Sequence, residues 1–215
     1  MDAGKAKQTL LAVGSILAIA VSVSLIVSSS RKPNFNVELH EGLGQVIAEE
    51  TARLLNRTGE VVLITVNSSE FPVLKTQLEA FRRAIKKSGS VKVADTVVIK
   101  SEHQDKYGPG RGLSATRFLR IVEDHSKVQA FVSLVGVPHL TDEEISKLAK
   151  PRVRFVAETK LDEKLKKLFE NHVLQVAIVP RFQFPAPGRK KPHTPREWFD
   201  RYFQVVQASQ TLPEQ

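Results

Sequence analysis

Residues 61–72 read VVLITVNSSEFP, and this stretch decides the fold. The run 61–66 is apolar or β-branched throughout, which is typical of a parallel strand covered on both faces. The polar residues that follow indicate a loop, and Pro72 suits the first turn of a helix. Apolar residues then recur at three- and four-residue steps as far as Gly89, which predicts an amphipathic helix over 72–87. The stretch is therefore the first strand–loop–helix unit of an α/β fold.

The alternation of strand and helix continues along the chain to residue 179. Thr141 and Glu144 are spaced as a capping box at the start of one of these helices. Five strands separated by helices predict a doubly wound domain with a five-stranded parallel sheet, for which the flavodoxin-like strand order is the commonest. The further predicted strands cover 91–100, 130–135, 152–157 and 173–179, and the helices cover 113–125, 141–150 and 161–171.

Two helical segments are expected before the first strand. Residues 10–27 are all apolar, Gly or Ser, and such a segment at 1.5 Å per residue spans about 27 Å, close to the hydrocarbon thickness of a bilayer. We therefore expect a single transmembrane helix there, and a secretory signal peptide is the alternative. An amphipathic helix is expected over 37–56, with Leu39, Leu43 and Ile47 on its apolar face.

The net charge of the chain and the distribution of its basic residues limit the classes of partner that it can bind. The chain of 215 residues has a net charge of +9 and no cysteine, and the absence of cysteine fits an oxidising compartment. Most Lys and Arg alternate with acids on predicted helix faces, and no nucleic-acid-binding motif accompanies them, so we expect no nucleic-acid partner. Residues 171–196 contain no acid, and their basic side chains either face solvent or meet anionic lipid or an acidic partner.

The carboxyl-terminal part of the chain predicts an extended tail and then a helix. Thr194 is a suitable N-cap, Pro195 the first helical residue, and Glu197 completes a capping box. An aromatic stripe at helical spacing either packs on its own domain or inserts into a partner or the membrane interface, and with the apolar face of the 37–56 helix it forms the predicted interface. The stripe consists of Trp198, Phe199, Tyr202 and Phe203.

The predicted fold class is α/β, with an N-terminal transmembrane helix, one doubly wound domain with five parallel strands, and a C-terminal amphipathic helix. These boundaries divide the chain into four parts. They are a tail and transmembrane helix over 1–31, a linker and amphipathic helix over 32–58, the α/β domain over 59–181, and a basic tail with the aromatic helix over 182–215.

The order of elements between residues 60 and 180 resembles the amino-terminal lobe of type I periplasmic binding proteins, the ribose-binding and lactose-repressor-like fold. The carrying segments are the first strand with its Phe71-Pro72 pair, the helix and strand over 118–135, and the helix that leads through Pro151 to the strand at 153–158. The resemblance implies an extracytoplasmic domain that binds a small ligand between two lobes. Only about 35 residues follow the fifth strand, so we expect a one-lobed version without a closed cleft.

Ligands of a doubly wound sheet sit beyond the carboxyl ends of the strands. Glycines and a guanidinium near a helix start can hold an anion through main-chain N–H groups, although the spacing here matches neither the P-loop nor the dinucleotide fingerprint. A Gly-rich loop without a ligand is the alternative. The candidate ligand residues are Gly108, Gly110, Arg111, Gly112 and Ser114, together with Asn67 and Ser68 after the first strand.

No sequence pattern indicates catalysis or a metal site. The six histidines are scattered without ligand spacing, and no nucleophile stands in a recognisable turn. His139 and Glu158 are both expected at strand ends, where they could approach each other. We therefore predict that the protein is not an enzyme and has no cofactor and no metal.

The anchor, the one-lobed fold and the two flanking helices predict a non-catalytic accessory or scaffolding subunit of a larger membrane protein complex. Its expected partners are membrane lipid and other subunits of that complex. The expected location is the bacterial inner membrane with the bulk of the chain in the periplasm; the opposite orientation stays open because the charges flanking 10–27 are nearly balanced. The alternative function is a membrane-tethered receptor for a small anionic or sugar-like ligand.

Overall fold

A computed structural model describes residues 34–99, 113–148, 154–181 and 190–208, and every structural statement below refers to these residues. Strands and helices alternate along them, as the sequence pattern predicts. The elements in chain order are α1 (Val37–Leu54), β1 (Thr58–Val66), α2 (Pro72–Lys87), β2 (Ser90–Ile99), α3 (Ala115–Asp124), β3 (Ala130–Ser133), α4 (Asp142–Leu148), β4 (Arg154–Glu158), α5 (Glu163–Glu170), β5 (Val176–Pro180), α6 (Pro195–Tyr202) and β6 (Phe203–Gln207).

The strands form one sheet in the order β2-β1-β3-β4-β5-β6. The first five strands are parallel, and pairs such as Phe131 with Phe155 fix their register. β6 runs antiparallel to β5 and pairs Val206 with Ala177. The predicted sheet of five parallel strands is therefore wrong, because the part of the chain described here forms a mixed sheet of six strands.

The predicted C-terminal amphipathic helix is also corrected. The helix begins at Pro195 as expected, but it ends at Tyr202. Phe203 has extended backbone (φ −130°, ψ 165°), and strand β6 follows. The physical reason is the open edge of β5, whose backbone groups need hydrogen-bond partners, and the β-branched pair Val205 and Val206 suits a strand at that edge.

The structure also corrects the membrane part of the predicted fold class. Within the described ranges, no helix is both long and apolar enough to cross a bilayer. The segment 10–27, on which the transmembrane helix was predicted, lies outside those ranges. The fold class that the structure supports is an α/β domain with a six-stranded mixed sheet.

Helices cover both faces of the sheet. On one face, α1 packs against α2 and α6 and also contacts β3 and β4. Right-handed crossovers place α3, α4 and α5 on the opposite face, since the chain reverses its direction across the sheet after β2. There Phe118 of α3 lies 4.6 Å from Phe155, which in turn stacks on Phe131 at 5.4 Å between ring centroids.

Two glycines allow α1 to approach its neighbours at backbone distance. A Cβ atom on Gly42 would stand 2.1 Å from the carbonyl oxygen of Pro195 in α6, and a Cβ atom on Gly44 would stand 2.1 Å from the carbonyl oxygen of Gln77 in α2. Real Cβ atoms do not come that close to a backbone atom, so only glycine permits this packing. α1 is therefore held tightly between α2 and α6.

The amino ends of α1 and α2 both lie toward the carboxyl edge of the sheet. α2 starts after the carboxyl end of β1 and returns along the sheet, and α1 leads through the short connection 55–57 into the amino end of β1. Both helices therefore run antiparallel to the strands. Their first turns border the edge at which α/β domains bind ligands.

Candidate functional site

The strand order identifies where a crevice opens at the carboxyl edge. β2 and β3 flank β1 on opposite sides, so the connections that leave β1 and β3 diverge to opposite faces of the sheet. Such a topological switch point is the usual ligand position in an open α/β sheet. The loops around it follow β1, β3 and β4.

The loop after β1 is ordered by its own side chains. Asn67 Oδ1 accepts hydrogen bonds from the Ser69 backbone N–H at 3.3 Å and from Ser69 Oγ at 2.8 Å. Asn67 Nδ2 donates to Glu70 Oε1 at 2.6 Å. Asn67 is exposed and Ser68 is half-buried, so both predicted ligand residues lie at this edge, although the side chain of Asn67 is already engaged within the loop.

The turn after β3 places backbone beside the end of β4. Ser133 is fully buried, and its Oγ donates to the carbonyl oxygen of Gly136 at 2.5 Å. Gly136 has φ +85°, a conformation that favours glycine. A Cβ atom on Gly136 would lie 3.7 Å from the carbonyl oxygen of Glu158, so the turn is in contact with the last residue of β4.

A polar chain of three side chains lies behind this turn. Gln77 of α2 is 2% exposed, and its Nε2 lies 3.2 Å from His40 Nδ1 of α1 and 3.4 Å from Glu158 Oε2. The Gln77 carbonyl oxygen Oε1 is buried and has no hydrogen-bond partner among the described residues. We refer to His40, Gln77 and Glu158 as the edge triad.

Burial shifts the pKa values of both titratable members of the edge triad. Desolvation raises the pKa of Glu158 from 4.5 to about 7, and the hydrogen bond from Gln77 opposes part of this rise because it favours the ionised form. Burial lowers the pKa of His40, which favours the neutral imidazole. The two changes leave a carboxyl group that changes charge near neutral pH beside an imidazole that stays neutral.

His139 and Glu158, which were considered as neighbours at the strand ends, have different partners in the structure. His139 Nδ1 lies 2.5 Å from Lys164 Nζ on α5, whereas the Glu158 carboxylate contacts Gln77. No group of three His, Cys, Asp or Glu residues able to hold a metal ion occurs in the ranges that the structure covers.

The predicted anion loop falls largely outside the structure. Ser114 is the N-cap of α3, and its Oγ accepts from the Arg117 backbone N–H at 3.3 Å. The other members of this candidate site lie in the range 100–112, which is not among the described residues. These residues are Gly108, Gly110, Arg111 and Gly112. The anion site therefore stays a prediction.

The residues predicted as a partner interface divide into two groups. Leu43, Ile47 and Phe199 are at most 1% exposed and belong to the core of the domain itself. The others keep partial exposure, and among them the rings of Trp198 and Tyr202 stack with centroids 5.9 Å apart. The partly exposed group consists of Leu39, Trp198, Tyr202 and Phe203.

A groove of about 270 Å³ between α1 and α2 lies apart from the edge triad. Its walls carry both signs of charge, and the ion pair between Arg83 and Glu41, at 2.8 Å, connects the two helices there. Among the described residues that line the groove, none offers a buried polar group to a ligand, and none belongs to the loops that follow β1, β3 and β4. We therefore place the candidate site at the carboxyl edge.

Sequence reasoning missed His40 and Gln77. One signal was present, because Gln77 occupies the same helix face as Leu74, Leu78 and Phe81, and a polar residue on an apolar face invites an explanation. His40 gave no such signal. Its contact with Gln77 depends on the close approach of α1 and α2 at Gly44, which no local pattern encodes.

Of the comparisons with known proteins, the one with solved structures found chains of similar fold. No family model and no curated protein matches the sequence. Among solved structures, a chain of the XylFII–LytSN complex is 15% identical over 79% of this chain and 60% of that chain, with a TM-score of 0.53. AraP, an arabinose-binding protein from Geobacillus stearothermophilus, is 18% identical over 65% of this chain and 45% of its own, with a TM-score of 0.49.

A third structure, an ABC transporter solute-binding protein from Burkholderia graminis C4D1M in complex with D-arabinose, is 17% identical over 78% of this chain and 59% of its own, with a TM-score of 0.49. This chain thus spans between 45% and 60% of the length of the three structures. The predicted resemblance to the type I periplasmic-binding-protein fold is confirmed.

Proposed function

We propose that this domain is a receptor for a small neutral ligand rich in hydroxyl groups, a sugar-like molecule bound at the carboxyl edge of the sheet. The observation that carries the proposal is Glu158, a partly buried carboxyl group at the end of β4 whose Oε2 is held by an amide from a neighbouring helix. A few well-placed polar groups in such a crevice are typical of small-molecule sites. The proposal is for binding without catalysis.

The chemistry of Glu158 favours a neutral ligand. An ionised carboxylate only accepts hydrogen bonds, so it pairs with hydroxyl donors and repels anions. An anionic ligand, the other form of the predicted receptor, would depend on Arg111 and the glycines around it, which the structure does not describe. Glu158 therefore supports the sugar-like ligand over the anionic one.

The fold is consistent with this proposal. Type I periplasmic binding proteins enclose a ligand between two lobes, and the crevice described here forms one wall of such a site. A one-sided crevice buries less of a ligand than a closed cleft does, so we expect modest affinity. Millimolar concentrations of ligand are therefore needed in the first tests.

A thermal-shift experiment on the full chain tests the proposed function. D-arabinose, D-glucose and inorganic phosphate are compared at 10 mM and pH 8, where Glu158 is ionised. With a dissociation constant of about 1 mM, a sugar at this concentration stabilises by about 1.4 kcal/mol, which for a domain of this size raises the melting temperature by roughly 3–6 °C.

Two variants make the test specific. Glu158→Gln should abolish the sugar-induced shift, while Glu79→Gln, an exposed acid on α2, should preserve it. A shift with phosphate alone would favour the anion loop instead. If neither sugar moves the melting temperature, or if Glu158→Gln keeps the full shift, the proposed function is wrong.

A second candidate function, an accessory subunit of a larger complex, keeps one supporting observation. Trp198 and Tyr202 stack on each other and are partly exposed on α6, and such aromatic pairs are frequent in protein interfaces. Pull-down of the tagged full chain from native membranes, with Trp198→Ala as the comparison, tests this function. A partner that is captured equally by both forms, or no partner at all, would count against it.

The cellular location stays a prediction that belongs with these proposals. A carboxyl-terminal reporter that is active only in the periplasm would test the expected periplasmic location. Activity of a cytoplasmic reporter alone would refute the periplasmic location.

A further inference from the structure

Gln77 is a polar residue in a place where packing alone calls for an apolar one. Its neighbours on the inner face of α2, Leu74, Leu78 and Phe81, are all buried. The Gln77 side chain is buried with them, and Oε1 lacks a hydrogen-bond partner among the described residues. A buried acceptor without a partner costs free energy, so the presence of Gln77 needs a reason other than stability.

The contacts of the amide nitrogen suggest that reason. Gly44 brings the backbone of α1 against that of α2 at Gln77, and His40 lies one turn before Gly44 on the same face of α1. The Gln77 Nε2 therefore reaches His40 Nδ1 and Glu158 Oε2 together, at 3.2 and 3.4 Å. An amide nitrogen has two protons, one for each of these acceptors.

We propose that Gln77 is a positioning residue, whose amide orients the Glu158 carboxylate for ligand binding and couples it to His40 on α1. This inference rests on the proposed function, and it adds a regulatory connection within the same site. The hydrogen bond to Oε2 fixes the plane of the carboxylate, and the other oxygen, Oε1, is the acceptor presented to a ligand hydroxyl group.

The donor also sets the charge of Glu158. Donation from Nε2 favours the carboxylate over the neutral acid, in opposition to burial. A neutral His40 accepts the second proton of Nε2 at Nδ1 and thereby keeps the amide nitrogen turned toward Glu158. Protonation of His40 removes an acceptor of Nε2, and protonation of Glu158 turns a charged acceptor into a weaker, neutral one, so both events weaken this arrangement as the pH falls.

The surroundings of Glu158 limit the groups that take part. α1 contributes His40, α2 contributes Gln77, and the turn after β3 and strand β5 approach with backbone groups. The following charged groups in the loops and first turns at this edge are exposed: Glu38, Glu70, Lys75, His139, Lys160, Asp162, Glu163 and Lys164.

Carbon-detected NMR on the full chain tests the inference without any ligand. The carboxyl carbon of Glu158 is titrated between pH 4 and pH 9 in the wild type, in Gln77→Met and in Gln45→Met. Methionine at position 77 keeps the length of the side chain and removes the donor, so the midpoint of Glu158 should rise by roughly half a pH unit or more. Gln45 contacts Glu49 instead, so Gln45→Met should leave the midpoint unchanged.

A second measurement needs no variant. In the wild type, the ring nitrogen signals of His40 should show a neutral imidazole with the proton on Nε2, and they should respond at the same pH at which Glu158 titrates. An unchanged Glu158 midpoint in Gln77→Met, or His40 signals that do not respond at that pH, would overturn the inference.

The sugar titration separates this inference from the proposed function. With D-arabinose, Gln77→Met should shift the pH midpoint of binding upward together with that of Glu158. If NMR shows the coupling but no sugar binds, the proposed function fails and the coupling within the edge triad stands. If a sugar binds and Gln77→Met leaves the pH profile of binding unaltered, the proposed function stands and the inference fails.

Discussion

The contribution of Glu158 to the stability of this domain should fall as the pH rises toward 7. In the unfolded chain Glu158 ionises near pH 4.5, whereas in the folded chain it ionises near pH 7. Between these values the unfolded state binds fewer protons than the folded state, so the free energy of unfolding decreases with pH in this window. Stability from the neutral carboxyl is complete below pH 4.5 and is lost as the pH passes 7.

The size of the effect follows from the two pKa values. A rise from 4.5 to about 7, at about 1.4 kcal/mol per pKa unit, corresponds to a maximum of about 3 kcal/mol. Glu158 is partly exposed, and solvent screening reduces the penalty. We therefore expect a loss of between about 1 and 3 kcal/mol from this residue.

Urea unfolding of the wild type and of Glu158→Gln at pH 5, 6, 7 and 8 measures this loss. Glutamine has nearly the same shape and cannot ionise, so the variant should gain stability relative to the wild type as the pH rises. His40 acts in the opposite direction, since its lowered pKa costs stability as the pH falls below 6.5. His40 is present in both proteins, so its contribution largely cancels in the difference.

The difference between the two proteins decides the outcome. A difference in the free energy of unfolding that grows by at least about 1 kcal/mol between pH 5 and pH 8 agrees with the environment described for Glu158. A constant difference would refute the reasoning, because it would mean that the Glu158 carboxyl is as well hydrated in the folded chain as in the unfolded one.

Three further substitutions test the packing by urea unfolding. Gly44→Ala should cost roughly 2 kcal/mol or more, because its Cβ atom would stand 2.1 Å from the Gln77 carbonyl oxygen; a loss below 0.5 kcal/mol, on the order of an ordinary surface change, would contradict the close packing of α1 and α2. Val206→Ala should cost roughly 1–2 kcal/mol, since Val206 is 6% exposed in β6; a neutral result would speak against the sixth strand. Thr141 is the N-cap of α4, and its Oγ1 accepts a hydrogen bond from Glu144 N at 3.3 Å. Thr141→Ala should therefore cost about 1 kcal/mol; unchanged stability would show that the cap is dispensable.

Local signals predicted the elements well. The helix expected over 72–87 has those bounds in the structure, since Pro72 opens it and Gly89 follows its end. The capping box of Thr141 and Glu144 is confirmed, with Glu144 Oε2 accepting from Thr141 N at 2.8 Å and Thr141 Oγ1 accepting from Glu144 N at 3.3 Å. These features depend on residues three or four positions apart, and sequence spacing reports such contacts directly.

Strand β6 is an element that local sequence signals do not predict. Phe199 and Phe203 are four residues apart, and their rings do stack at 6.1 Å, so the aromatic spacing reads as one continuous helix. The chain instead turns into β6 at Phe203 because β5 offers an unpaired edge. That edge is a property of the assembled sheet, and a pattern confined to 195–206 carries no information about it.

The contacts of the edge triad likewise depend on the assembled fold and not on local sequence. His40 and Gln77 are 37 positions apart, and Gln77 and Glu158 are 81 positions apart, so neither contact leaves a trace in sequence spacing. Gly44 supplies the physical link, because the missing side chain sets the separation of α1 and α2 and thereby the distance between the imidazole and the amide. A larger residue at position 44 would push the helices apart, weaken the contact of Gln77 with His40 and thereby loosen the amide that donates to Glu158. The acidity of Glu158 should therefore depend on a glycine that does not touch it, and this dependence arises only when α1 and α2 are packed together.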